Sequence, residues 1–162
     1  MAQVDFFLKL DGIDGESTDD KHKGEIEVSS FSWGASNTAT HSSGGTGGGA
    51  GKVSFQDFHI TKTVDKASPK LMLACATGEH IKKAVITCRK AGKDQQEYYK
   101  VTLSDVFVAS YQDGGSHGEL VPVDQVSFNF GKIEFEYKPQ KADGTLDSAV
   151  KAGWDVGTNK KV

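Results

Sequence analysis

Residues 121–137 read VPVDQVSFNFGKIEFEY, and the apolar positions in this run decide the architecture. Val126, Phe128 and Phe130 share one parity, whereas Ile133, Phe135 and Tyr137 share the other. Apolar residues recurring with period two mark a strand with one buried face. A change of parity inside such a run predicts a bend, with a β-bulge at Gly131 or Lys132. The same switch separates Phe55 from Phe58 across Gln56 and Asp57. Repeated bends of this kind are what closing a sheet into a barrel demands. The expected fold is mainly β: an antiparallel β-barrel of two sheets with one short α-helix packed at its side and a long Gly-rich loop.

Outward from that run, strands are expected at Val4 to Leu10, Glu25 to Trp33, Lys52 to Thr63, Ala84 to Arg89 and Glu97 to Ser110, with a hairpin turn at Lys90 to Gln95. Asp65 to Pro69 announces the helix, with Ser68 as N-cap and Pro69 in the first turn. Gly78 stands where the residue after the helix is expected. Leu71, Met72, Ala74 and Cys75 give it one apolar stripe, too short to stand alone, so it must dock on a sheet. Between Ser36 and Gly51 there is no charge and no large apolar side chain: six Gly, six Ser or Thr, two Ala, one Asn and one His. Strand patterns on both sides make this a loop joining two parts of one sheet system, and a loop of that length is commonly a binding segment.

At 162 residues and 17.4 kDa the chain fits a single domain over residues 1–162. Its net charge of −3 and the lack of a basic block beyond Lys160 and Lys161 argue against nucleic acid and anionic membranes as partners. Cys75 and Cys88 are too few for a disulfide framework and are expected as reduced thiols. The start carries no Sec-type leader and no run is long enough to cross a membrane. The chain is therefore expected to be made in the cytoplasm, and any export must use a route that reads no N-terminal peptide.

No catalytic, cofactor or metal set emerges. Gly51-Lys52 has the ending of a phosphate-binding loop, but Thr46 stands where its first glycine belongs, Val53 where Ser or Thr belongs, and a strand follows instead of a helix. Gly45, Gly47 and Ala50 match a loose dinucleotide fingerprint with the same defect. His22, His41, His59, His80 and His117 show no ligand spacing and read as surface or loop residues. Asp11, Asp14, Asp19 and Asp20 form an acidic loop without the glutamate that a calcium loop needs, and read as solvated. Cys75 lacks a neighbouring base. Trp33 and Trp154 read as core anchors.

Several segments together resemble one family. They are Gly15-Glu-Ser17 before the acidic loop, Phe31-Ser-Trp-Gly34, the glycine tract ending in Gly51-Lys52, the helix from Ser68-Pro69 to Ala74-Cys75, and Ser127 to Phe130. Tyr137-Lys-Pro-Gln-Lys-Ala-Asp-Gly144 and Gly153-Trp154 complete the set. In this order and spacing, from about Val4 to Trp154, the chain is similar to the haemolysin-coregulated protein (Hcp) family. The resemblance implies a structural tube subunit of the bacterial type VI secretion system. Such subunits form homo-hexameric rings that stack into the inner tube, work with a contractile sheath and spike proteins, are exported without a Sec signal, and can carry or chaperone effector proteins in the lumen. It implies no enzyme activity, no cofactor and no membrane insertion.

By the family's aromatic-Ser-Trp-Gly motif, Ser32 becomes the candidate lumen and effector contact, with Phe31 at a position that can be Trp elsewhere. Thr40, Gly44, Gly45, Gly47, Gly48, Gly49 and Gly51 become candidates for ring stacking. The alternative is a monomeric β-barrel binding module that uses the Gly-rich loop.

Overall fold

A computed structural model of the chain describes residues 4–38, 51–90 and 95–162. Among them the chain forms β1 (Val4–Leu10), β2 (Ile26–Val28), β3 (Ser30–Ser32), β4 (Ala35–Asn37), β5 (Val53–Phe55), β6 (Phe58–Thr63), α1 (Ser68–Thr77), β7 (Ile81–Lys90), β8 (Glu97–Gly114), β9 (Val123–Tyr137), β10 (Val150–Asp155) and β11 (Lys160–Lys161). The pairs β1–β2, β1–β7, β7–β8, β8–β9, β9–β10 and β10–β11 are all antiparallel, as are β3–β6 and β6–β9. β4 and β5 form a separate two-stranded sheet. The path β3–β6–β9–β8–β7–β1–β2 comes back to its start along the chain, because Ser29 alone separates β2 from β3 and its N–H donates to the Thr61 carbonyl at 2.8 Å. The mainly antiparallel β architecture with one side helix is thus the one found.

The long strands behave as their apolar pattern demands, with one correction. In β9 the buried side chains pass from Val126, Phe128 and Phe130 to Ile133, and in β8 from Val101 and Leu103 to Val106 and Val108. Both strands change face at one level, and their register runs unbroken from Ser104↔Lys132 to Val106↔Phe130. The bend is therefore shared by the two strands and is no bulge in β9 at Gly131 or Lys132. Asp105, opposite Gly131, carries it with φ 54°. A Cβ on Gly131 would stand 3.2 Å from that of Asp105, so a side chain here would crowd the bend. The register slip lies further along, between Val108 and Ser110.

Two expected strands are each divided. Glu25 to Trp33 breaks at Ser29, and Lys52 to Thr63 breaks at Gln56 and Asp57 into β5 and β6, which belong to different sheets. The Gly-rich segment accordingly connects β4 to β5, the two strands of the small sheet. Strand pairing also runs further than polarity suggested, to Gly114 in β8 and from Ile81 to Lys90 in β7. The expected turn at Lys90 to Gln95 falls mostly on residues 91–94, outside the described residues.

The helix start needs a second correction. Ser68 is the first helical residue, Ala67 occupies the cap position, and no side chain caps the helix there. Asp65 instead accepts the Ala67 N–H at 2.9 Å, and this turn launches the helix. Gly78 ends it with φ 67°, as expected. Leu71 and Ala74 are buried and Cys75 is half-buried, while Met72 points outward.

Ser68 is kept from capping by a buried network. Its hydroxyl accepts the Asp65 N–H at 3.0 Å and the Lys62 ammonium at 2.9 Å, and donates to Asp124. Lys62 and Asp124 are both wholly buried, 2.9 Å apart, and Tyr111 donates to the second Asp124 oxygen at 2.8 Å. Burial alone would raise the Asp124 pKa. The hydrogen bonds from Ser68, Lys62 and Tyr111 outweigh it and hold the carboxyl below its ordinary range.

Asp11, Asp14 and Asp20 of the acidic N-terminal loop are exposed, as expected of a solvated loop, but Asp19 is not. Arg89, 3% exposed, donates through both terminal nitrogens to the two oxygens of Asp19 at 2.8 Å, and also to Asp5 at 3.2 Å. Its guanidinium lies 4.9 Å from the centre of the Phe7 ring. His22 is buried rather than on the surface. It stacks on Phe7 at 4.4 Å and sets its ring nitrogens against Glu25 and Glu97 at 2.8 and 2.7 Å. The charge of Asp19 therefore ties the loop to β7, and chiefly the Arg89 hydrogen bond lowers the Asp19 pKa to about 2.

Two outcomes follow from these contacts. Lys62→Met should destabilise the chain by about 3–5 kcal/mol, because it leaves the Asp124 carboxylate buried without its partner; urea unfolding measures this, and a change under about 1 kcal/mol would place the network outside the stabilising core. The Asp19 pKa is depressed in the folded state, so its contribution is complete above the ordinary carboxylate range and is lost as pH falls from about 4 toward 2. Acid titration of wild type against Asp19→Asn should show less acid sensitivity in the variant, alongside lower stability at neutral pH.

Candidate functional site

The outer face of β3, β6, β9 and the far part of β8 differs from the rest of the surface. Strand register aligns Ser32, His59, Ser127 and Ser110 in one row, and Ser30, Thr61, Gln125 and Gln112 in the next. Phe107 and Asn129 form a further pair beside them. The opposite face of these strands carries Phe31, Phe58, Ile60, Val126 and Phe128, which belong to the core or pack on it. Alternation along each strand thus sends the small polar residues outward. In a chain that is 25% charged, two full rows across four strands hold no Lys, Arg, Asp or Glu.

Ser32 is exposed, as its parity opposite Phe31 and Trp33 predicts. Its neighbour across the strand pair is His59, whose Nδ1 lies 3.0 Å from Ser127 Oγ. Asn129 donates to Asp57 at 3.2 Å at the margin of the face. Sequence reasoning singled out Ser32 but left Thr61, Gln125, Ser127 and His59 without a role. Their signal is present as the polar half of each strand's alternation, but only the register shows that the halves line up.

Trp33 and Trp154 pack against the core as anchors, and Trp33 Nε1 donates to Tyr99 Oη at 2.8 Å. The Gly-rich candidates are mostly beyond reach: Thr40, Gly44, Gly45, Gly47, Gly48 and Gly49 lie outside the described residues. Gly51 is described. With Asn37, Lys52, Val53, Phe55, Trp154 and Asn159 it lines a cleft of about 420 Å³ at the base of the β4–β5 pair. The structure does not join this cleft to Ser32.

The Lys62–Ser68–Asp124 group has the composition of an activated nucleophile, since a lysine and a carboxylate both touch a serine hydroxyl. Its burial argues against that use. Ser68 is 3% exposed, and its proton goes to a carboxylate that is itself bound to an ammonium. Cys88 is buried and its thiol is pushed up to about 12 by burial, which suppresses the reactive thiolate. Among the described residues no three His, Cys, Asp or Glu side chains converge as metal ligands. No described helix is long and apolar enough to cross a membrane.

Comparison with known proteins accounts for the fold. The family model described as "Type VI secretion system effector, Hcp" matches residues 7–137. Protein hcp1 of Pseudomonas aeruginosa is 46% identical over 158 residues, covering 96% of this chain and 97% of that protein. The major exported protein of the same organism is 30% identical over 98 residues, covering 54% of this chain and 56% of its own length. A solved type six secretion system protein superposes with a TM-score of 0.92 at 36% identity, covering 98% of this chain and 99% of the other. Hcp1 from Salmonella typhimurium superposes with a TM-score of 0.82 at 39% identity, covering 99% of this chain and all of that one. With a fold, a length and a family model all in agreement, the chain belongs to the Hcp family of the type VI secretion system, a family of structural proteins and not of enzymes.

Proposed function

We propose that the chain is the subunit of the secretion tube. Six copies close into a ring, rings stack into a tube within a contractile sheath and behind spike proteins, and the neutral face bearing Ser32 lines the lumen and meets effector proteins. The observation that carries this reading is the state of the sheet edges. The four-stranded layer β3–β6–β9–β8 ends on β3 at one side and on Phe107 to Gly114 of β8 at the other, and neither edge has a partner strand among the described residues. Unpaired N–H and C=O groups along an edge are a template for another strand. Two different edges on one subunit give a heterologous contact, and such a contact closes into a ring when its rotation divides a full turn.

The neutral face supports the same reading. A passage through which many sequences travel must bind each weakly, and short uncharged polar side chains give neither strong ion pairs nor apolar adhesion. The residues from Thr40 to Gly51 are the candidate stacking arm, since a glycine-rich backbone can lie along a neighbour without a deep pocket. Export of the assembled tube then needs no N-terminal leader.

Light scattering tests the reading directly. A particle of about six subunits is expected, with rings in negative-stain images; a single species at the chain mass of 17.4 kDa would overturn it in favour of a monomeric binding module. Ser32→Gln should leave the particle size unchanged, because the side chain is exposed. Loss of the ring in that variant would move Ser32 from the lumen to a subunit contact.

A further inference from the structure

Eight large apolar side chains are exposed among the described residues, and five of them border one element. That element is the β8 edge from Phe107 to Gly114, which has no partner strand among the described residues. Phe107 stands on the edge itself, Leu120 and Val121 stand at its hairpin end, and Met72 and Leu73 stand on α1. The helix runs along this part of β8. Its first residue, Ser68, shares the Asp124 carboxylate with Tyr111 of β8. Just past its end, His80 lies 3.0 Å from Asp105, and its imidazole meets the Phe107 ring edge-on at 5.7 Å. The hairpin end is tied to the same place, because the Val64 N–H ahead of the helix donates to the Pro122 carbonyl at 3.0 Å.

α1 has two apolar sides. Leu71 and Ala74 enter the core, whereas Pro69, Met72, Leu73 and Ala76, spaced i, i+3, i+4 and i+7 on one stripe, are all exposed. Single exposed apolar residues need no partner, but a group gathered around an unsatisfied edge marks a contact surface. We infer that the outward stripe of α1, with the Leu120–Val121 tip, is the apolar half of a subunit contact whose occupant is the β3 side of a second copy of this chain. An edge calls for a strand, and β3 is the opposite end of the same layer, paired only with β6 among the described residues. Its flank also lacks cover: Phe31 and Trp33 pack on the core yet remain only half-buried. With β3 of one copy laid along β8 of the next, the layer continues, and Phe31 falls on the core side, where α1 flanks β8. The stripe and these aromatic rings then shield each other from water. The inference rests on the ring reading and deepens it by adding apolar burial to edge hydrogen bonds that are weak on their own.

The test follows particle mass against concentration, by light scattering and sedimentation, for the full chain and three variants. Met72→Glu with Leu73→Glu, and separately Leu120→Asp, should each raise the concentration at which half the chains assemble by about tenfold or more, the effect of losing anchoring side chains from a contact. Val150→Glu should leave that concentration unchanged, since Val150 is 66% exposed but lies on β10 beside Tyr137, away from this edge. Circular dichroism and urea unfolding should show the wild-type fold throughout, and the fully exposed Leu120 keeps the test decisive even where the helix variant unfolds. Wild-type rings alongside Met72→Glu/Leu73→Glu and Leu120→Asp chains that assemble equally well would overturn the inference, keep the ring, and leave the stripe to a sheath or spike protein. An equal loss of assembly in Val150→Glu would overturn it as well. A wild-type chain that stays monomeric at every concentration would overturn the ring reading itself, so the two failures are distinguishable.

Discussion

Lys62 and Asp124 face each other across β6 and β9, both without solvent exposure, and neither charge is tolerable there without the other. Around this pair the structure converges. Ser68 brings in the first turn of α1, Tyr111 brings in β8, and Asp65 brings in the turn between β6 and the helix. A hydrophobic residue of similar volume at each position could pack as well, but it would not dictate which residues meet. The polar network does, because each hydroxyl and carboxylate must find its own partner or remain unsatisfied in a low-dielectric interior. The helix therefore docks in one position, and the β8–β9 edge beside it keeps its place relative to β6.

The same division of charge explains why the candidate site is so bare. Charged residues are abundant in the chain, yet they are committed elsewhere. Some are inside, as at Lys62 and Asp124; some pin the N-terminal loop, as at Arg89, Asp5 and Asp19; some alternate on the β9–β10 surface, as at Lys132, Glu134, Glu136 and Lys151. The face formed by β3, β6, β9 and β8 receives serine, threonine, glutamine and asparagine in their place. Short hydroxyl side chains have little rotamer freedom to lose and present a wet, evenly polar surface. Such a surface has no use as a specific pocket, which is in keeping with the proposed lumen wall.

Much of this was legible in the sequence, and what was missed has physical causes. Period-two alternation in residues 121–137 identified β9 and the level of its bend, because side-chain direction follows directly from the pleat. The same switch stands in β8, from Val101 and Leu103 to Val106 and Val108, but the exposed Phe107 on the opposite parity obscured it, and only the register shows that the two bends lie at one level. The Ser68-Pro69 signature located α1 to within a residue. Its cap was misread because local rules do not know that Lys62 and Asp124 claim the hydroxyl first. Asp19 was grouped with its solvated neighbours for a similar reason: Arg89 lies 70 residues away, and no local signal announces the pair. Ser32 could be named through its motif, whereas the face around it needed the register of four strands.

That contrast bears on where function resides in a fold of this kind. A catalytic site would concentrate perturbed groups in a cavity, and here the most strongly perturbed groups, Asp19, Arg89, Cys88 and Tyr111, are taken up by structural contacts or burial at separate places in the fold. The features left for function are extended ones: a neutral face and two edges without a partner strand among the described residues. Each is weak per residue, since an exposed edge or a hydroxyl row gains little from a single partner. Repetition changes that. In the proposed ring, a subunit whose two edges differ would satisfy both by meeting other copies, and every copy added would present its neutral face on the same side of the growing layer. The edges would then supply the assembly energy, leaving the face free of any need for adhesion. Charge withheld from that face is consistent with the rest of the design, because the ion pairs that hold the subunit together lie inside it or on its other surfaces.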